Sequence, residues 1–178
     1  MKVTAQHTEI IQTVKEAELE IAEITLLSVK EAGTHLTKEQ RFIGSWWWLR
    51  SPGRYPDRAA YVSSGGNIST YGNYVRSNYG IIRPALRFSN SNLVWGDSFE
   101  AGCEQWLVID DGLALCESIV GKSPFRTDYN ASDANDYEKS DVKKWLDNWA
   151  LRRGLYTTTQ LEQMQGNTEL GYFPGRSV

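Results

Sequence analysis

Apolar positions fall into three regimes along the chain, and each predicts a different kind of element. Over residues 8–21 the positions Ile10, Val14, Ala17 and Ile21 share one stripe at helical spacing, which predicts an amphipathic helix. The run Ile24-Thr-Leu-Leu27 is short and β-like. Ser28-Val-Lys-Glu31 follows with the Ser-x-x-Glu arrangement that lets two side chains satisfy each other's free amides at a helix start, and Gly33 supplies a stop. From Gly44 onward the pattern changes to short aromatic and β-branched runs separated by Gly, Ser, Asn and Pro, which predicts antiparallel strands at 45–50, 59–63, 67–70, 73–76 and 81–88. Gly65-Gly66 is the tight turn between the second and third of these, and Pro84 requires an edge or a bulge in the last.

The second half repeats the alternation of strand and helix. Residues 89–102 read as a connection anchored by Trp95 and Phe99. Residues 105–110 and 113–117 flank Asp111-Gly112 and read as a hairpin. If Ile109 faces Leu113, Cys116 falls opposite Trp106 and Cys103 opposite Ile119, so the two cysteines do not meet and are expected as free, mostly buried thiols. A polar loop at 123–138 leads into the clearest helix, 140–154: Ser140 caps it, Asp141 and Arg152-Arg153 suit the two ends of its dipole, and Gly154 ends it. Val142, Trp145, Leu146 and Trp149 form its apolar face. A second short helix is expected at 159–165, and the tail from 166 has no periodic signal.

Composition narrows the possibilities. With 178 residues the chain is long enough for one ordinary domain with a real core. Its 19 Lys and Arg against 22 Asp and Glu leave a net charge of −3, which offers no uniform basic surface to a polyanion, so a nucleic-acid partner is not expected. No run approaches about eighteen consecutive apolar residues and Met1 opens no charged-then-apolar leader, so neither membrane insertion nor a secretory signal is expected. Seven Trp and nine Tyr are the unusual feature. They imply a tightly cemented core or a surface rich in contact residues.

The segments Trp46-Trp-Trp-Leu-Arg-Ser-Pro-Gly53, Ala60-Tyr-Val, Gly65-Gly-Asn and Tyr79-Gly-Ile-Ile-Arg-Pro-Ala-Leu86 resemble the DUF6273 family of bacterial and phage domains. That family is similar to proteins of the C-type lectin fold, including formylglycine-generating-enzyme-like domains and variable proteins diversified by retroelements. In the second half, Trp106-Leu-Val-Ile-Asp-Asp-Gly-Leu-Ala-Leu resembles the family's opening hairpin, and Tyr137-Glu-Lys-Ser-Asp-Val-Lys-Lys-Trp-Leu its first helix. In the family those two segments come first, whereas here they come last. The resemblance therefore implies a circularly permuted domain, with residues 81–88 and 105–110 as neighbours in one sheet, or halves exchanged between subunits of a homo-oligomer. The expected architecture is α+β and C-type-lectin-like: a small twisted antiparallel sheet, two or more flanking helices and long irregular loops. A helical extension at 1–23 precedes a single domain at 24–165, and a tail follows at 166–178.

Candidate chemistry is sparse. The oxygen donors Asp128, Asn130, Ser132, Asp133, Asn135, Asp136 and Glu138 crowd one loop, but the glycine of a calcium loop is missing and Lys139 stands where a bidentate Glu is needed. No metal or cofactor is expected. His7 and His35 fit no nucleophile or zinc spacing, and the resemblance makes Cys103 and Cys116 structural, so no enzyme activity is expected. Arg50 and Arg83 read as scaffold, paired with a carboxylate or with carbonyls. Residues 54–79 are rich in Tyr, Asn, Ser and Arg, the composition of an adaptable recognition surface, and in the diversified relatives this is the ligand-binding face. The candidate contacts are Arg54, Tyr55, Asn67, Ser69, Tyr71, Asn73, Tyr74, Arg76 and Asn78. The expected function is non-catalytic recognition or adhesion toward a protein or glycan. A virion or filament component assembled by exchange is the alternative, and a formylglycine-generating-like enzyme a more remote one.

Overall fold

The computed structural model describes residues 19–89 and 92–169, with side chains as far as Gly166. Among the described residues, two five-stranded sheets and four α-helices give an α+β architecture. The first sheet runs β1 (Glu20–Thr25), β6 (Ala85–Ser89), β9 (Leu113–Cys116), β8 (Glu104–Asp110) and β7 (Ser98–Ala101), every pair antiparallel. The second runs β10 (Gly121–Lys122), β5 (Ile81–Ile82), β2 (Trp47–Pro52), β3 (Arg58–Val62) and β4 (Ile68–Tyr74), with a parallel contact between β2 and β5. The helices are α1 (Val29–His35), α2 (Lys38–Arg41), α3 (Asp141–Arg152) and α4 (Thr158–Glu169), and a single 3₁₀ turn at Tyr137–Lys139 precedes α3. None of the described helices is long and apolar enough to cross a membrane.

Alternation along β2 organises the core. Successive side chains on a strand point to opposite faces. Trp47 therefore packs with Leu27, Leu49, Val62 and Leu115, while Trp48 packs with Leu26, Ile82, Phe125 and Leu146. Both indoles are fully buried and both ring N–H groups find a carbonyl, Trp47 on Arg41 at 3.0 Å and Trp48 on Ser123 at 2.9 Å. Trp46 is partly buried and meets Trp48 edge-on, with ring centroids 4.8 Å apart. Ser140 caps α3 by accepting from the Lys143 amide, and Val142, Leu146 and Trp149 are buried. These are three of the four positions of the predicted apolar face; the fourth, Trp145, is partly buried.

The two scaffold arginines have the expected kinds of partner. Arg50 forms a two-pronged ion pair with Glu31, which also holds Arg87 and closes the capping box of α1 on the Ser28 amide. Burial opposes ionisation of Glu31, but the hydrogen bonds from Arg50 and Ser28 and the charges of Arg50 and Arg87 outweigh it and hold the carboxyl at about 2. Arg83 donates to the Cys116 and Gln40 carbonyls with its guanidinium 5.2 Å from the Trp47 ring centre, and burial lowers its pKa to about 10.

Several expectations are corrected. Residues 81–88 are two strands in two different sheets: at Arg83 and Pro84 the chain leaves the second sheet for the first, and proline's missing donor suits that break. β6 pairs with β9, so only residues 85–88 share a sheet with 105–110, and β9 lies between them: the two segments are not direct neighbours. Residues 67–70 and 73–76 are not separate strands, since 68–74 is one bulged strand. The connection at 89–102 contains β7, whose only large apolar side chain is Phe99. Gly33 lies inside α1, which runs on to His35. Ile21 sits in β1, and the rest of the predicted helical stripe lies outside the described residues. In the hairpin Cys116 faces Trp106 as expected, but a bulge at Ile109 sets Asp110 opposite Leu113. Both thiols are free; Cys103, however, is exposed, with φ 62° in the two-residue turn between β7 and β8. Cys116 is buried, and burial raises its thiol pKa to about 11.

Candidate functional site

The site is built on β4, an outer strand of the second sheet. Pairing of β3 with β4 sets Ala59 opposite Asn73 and Tyr61 opposite Ser69, so three residues of β4 face the single residue Ala60. Such a bulge re-aims side chains and bends an edge away from further pairing. Gly72 makes it possible: its φ is +91°, and a Cβ there would lie 2.8 Å from the Ala59 carbonyl oxygen. The Ser69 hydroxyl accepts the Gly72 amide at 3.3 Å, and the Arg58 guanidinium donates to the Gly72 carbonyl at 3.1 Å. The Tyr71 carbonyl accepts the Arg54 amide at 2.9 Å, and the Gly53 amide donates to the Arg58 carbonyl at 2.8 Å. These bonds fold the 53–57 loop back against the bulge. Across it, Asn135 donates to the Tyr55 carbonyl at 3.1 Å.

On this frame tyrosine rings and guanidiniums alternate. Tyr55 meets Tyr71 edge-on at 5.8 Å between ring centres, and Arg54 lies 5.7 and 5.9 Å from those two centres. Arg58 sits between Tyr71 at 4.7 Å and Tyr74 at 4.0 Å, and Arg76 between Tyr74 at 5.5 Å and Tyr129 at 4.7 Å. Each successive guanidinium thus shares a ring with the one before. Tyr55, Tyr71 and Tyr74 each keep more than two fifths of their surface exposed (46%, 47% and 43%), too much for core packing. Contacts of this kind are worth roughly 0.5–1 kcal/mol each at exposed sites, and each of the three guanidiniums makes two of them.

Of the nine candidate contacts, Arg54, Tyr55, Tyr71, Tyr74 and Arg76 belong to the ladder. Ser69 and Asn73 support it from the backbone, Ser69 at the bulge and Asn73 by accepting the Tyr74 amide at 2.8 Å. Asn67 lies at the far end of the hairpin, where its amide bonds to Ser63, and Asn78 lies in the turn beyond β4, outside the stack. Arg58 and Tyr129 complete the ladder and were not among the candidates. The Tyr-Pro-Asp-Arg spacing before β3 is the signal that Arg58 offered, whereas Tyr129 reaches the site only through the fold.

The surrounding charges are committed differently. Arg50, Arg87, Arg126 and Arg153 pair with carboxylates, whereas no ion pair to Arg54, Arg58 or Arg76 is formed among the described residues. In the acidic loop the Lys139 hydrogen bond lowers the Asp133 pKa, Arg126 adds its charge, and Asp136 caps the 3₁₀ turn. Among the described residues no three His, Cys, Asp or Glu side chains converge as a metal site. A separate concavity of about 440 Å³ lies between α1 and β8, lined by the His35–Asp110 pair, with its 3.3 Å contact, and by the exposed Trp95.

Fold and site together define an α+β domain with an exposed aromatic–cationic edge. Residues 5–89 match the family described as "Domain of unknown function (DUF6273)". The matched span ends with β6 and contains every ladder residue except Tyr129. No curated protein and no solved structure matches the chain.

Proposed function

We propose that the protein is a non-catalytic recognition module that binds a protein or glycan through the Tyr55–Tyr71–Tyr74 face of its second sheet, on a circularly permuted domain of the C-type lectin kind. The observation that carries this reading is the solvent-exposed ladder of tyrosines and arginines fixed on a bulged outer strand. Exposed rings held in one orientation offer amphipathic contact area at small entropic cost. The pairing of Ala85–Arg87 with Leu113–Leu115 joins the two halves of the sequence in one sheet within one chain, which favours a single closed domain over halves exchanged between subunits. A non-catalytic role is supported by the separation of the thiols, one in an exposed turn and one buried opposite Trp106.

The test is a capture experiment from a displayed random-peptide library and a glycan array, run in parallel with wild type and the Tyr71→Ala/Tyr74→Ala variant. The reading expects ligands retained by wild type and lost by the variant, whose stability falls by less than about 1 kcal/mol because both rings are half-exposed. Capture that is identical for the two proteins refutes it, as does a stability loss of several kcal/mol, which would assign the rings to the core.

A further inference from the structure

We propose that the ladder's ligand is a carboxylate-rich peptide segment, read by the guanidiniums of Arg54, Arg58 and Arg76; this rests on the recognition reading above. The three side chains form no ion pair among the described residues, and each stands over two tyrosine rings. An ordered guanidinium offers a carboxylate two parallel N–H donors, and the entropy of ordering the side chain has been met before the ligand arrives. In the adjoining loop Asp133 is held by Lys139 and Arg126 and Asp136 by Lys139.

Two observations favour an acidic peptide over a nucleic acid or a sulfated polysaccharide. Arg58 stands over Tyr71 and Tyr74 at 4.7 and 4.0 Å, and Arg54 and Arg76 approach the same two rings to 5.9 and 5.5 Å, so a stacking base would compete with guanidiniums already in place. The whole chain carries a net charge of −3, which repels a long polyanion at distances beyond the ladder itself. A short acidic segment escapes most of that repulsion while gaining the close bidentate contacts.

The experiment titrates fluorescein-labelled hexaglutamate against the full chain and follows polarisation, with hexaglutamine, a heparin-derived hexasaccharide and a thymidine hexanucleotide as parallel probes. Hexaglutamate is expected to bind more tightly than all three, and to weaken at least about tenfold between about 0.05 and about 0.5 M salt. Arg76→Gln, which removes no hydrogen bond within the described chain, is expected to weaken it about tenfold. Arg58→Gln should do the same, and Arg152→Gln, at an exposed arginine outside the ladder, should leave affinity unchanged within about twofold. Binding of hexaglutamate no tighter than hexaglutamine overturns the proposal, as does tighter binding of either other polyanion or equal loss in Arg152→Gln. If the capture experiment instead yields neutral ligands that still depend on Tyr71 and Tyr74, the carboxylate assignment fails while the recognition reading stands; if nothing depends on those rings, the reading itself fails.

Discussion

Replacing Glu31 by Gln removes the charge that holds α1, β2 and β6 together. Its side chain is 14% exposed, and Arg50, Arg87 and the Ser28 amide converge on it. Folding lowers its pKa from the ordinary 4.5 to about 2, a difference worth about 3 kcal/mol at neutral pH. Because the folded value is the lower one, this stability is fully present above pH 4.5 and is lost as the pH falls toward 2. Breaking a hydrogen-bonded ion pair on one side costs a similar amount, since the guanidiniums lose their partner. Urea unfolding of wild type and Glu31→Gln across that range therefore has a defined form. The gap between them should be about 3 kcal/mol near neutrality and shrink steadily below pH 4.5. A gap that stays constant down to about pH 3, or that is below about 1 kcal/mol at neutrality, would refute the assignment of Glu31 as the charged keystone of that corner.

Other consequences are local. Gly80 lies against Trp48 so closely that a Cβ would stand 1.7 Å from the indole nitrogen; Gly80→Ala should cost about 1–3 kcal/mol in urea unfolding and change the near-UV dichroism of the buried indole. Gly72→Ala places a Cβ at φ +91° against the Ala59 carbonyl and should cost about 1–3 kcal/mol while displacing Tyr71, seen as a change in tyrosine ring signals by NMR. Of the two thiols, exposed Cys103 should react with a disulfide reagent at neutral pH, while Cys116, buried and with its pKa raised to about 11, should react only on unfolding; two fast thiols would contradict the burial.

What the sequence conveyed depended on how local the determining interactions are. Ser28 with Glu31 and Ser140 with Lys143 are contacts across three residues, so the starts of α1 and α3 could be read directly. Alternation in Trp47-Trp48 likewise forces opposite faces whatever the rest of the chain does. β7 escaped because it is four residues long and owes its strand conformation to pairing with β8. The bulge at Gly72 was legible only as a break, because a glycine between two β-like runs looks the same whether the chain turns or bends. At the site, tyrosines and arginines of one segment were recognisable from composition, but their order was not: Arg58 enters by cross-strand pairing with Tyr74, and Tyr129 from a loop more than fifty residues away. Pro84 marked a disruption correctly, yet only the two separate sheets show that the disruption is a change of sheet.

The central claim, that the bulged outer strand carries the recognition surface, is met most directly by mapping amide shifts of the isotope-labelled protein as a captured ligand is added. Perturbations concentrated at residues 54–58 and 71–76, with Tyr129 joining them from outside the hairpin, are the predicted result. Perturbations concentrated instead on the first sheet, or around Trp95 and the His35–Asp110 pair, would contradict it.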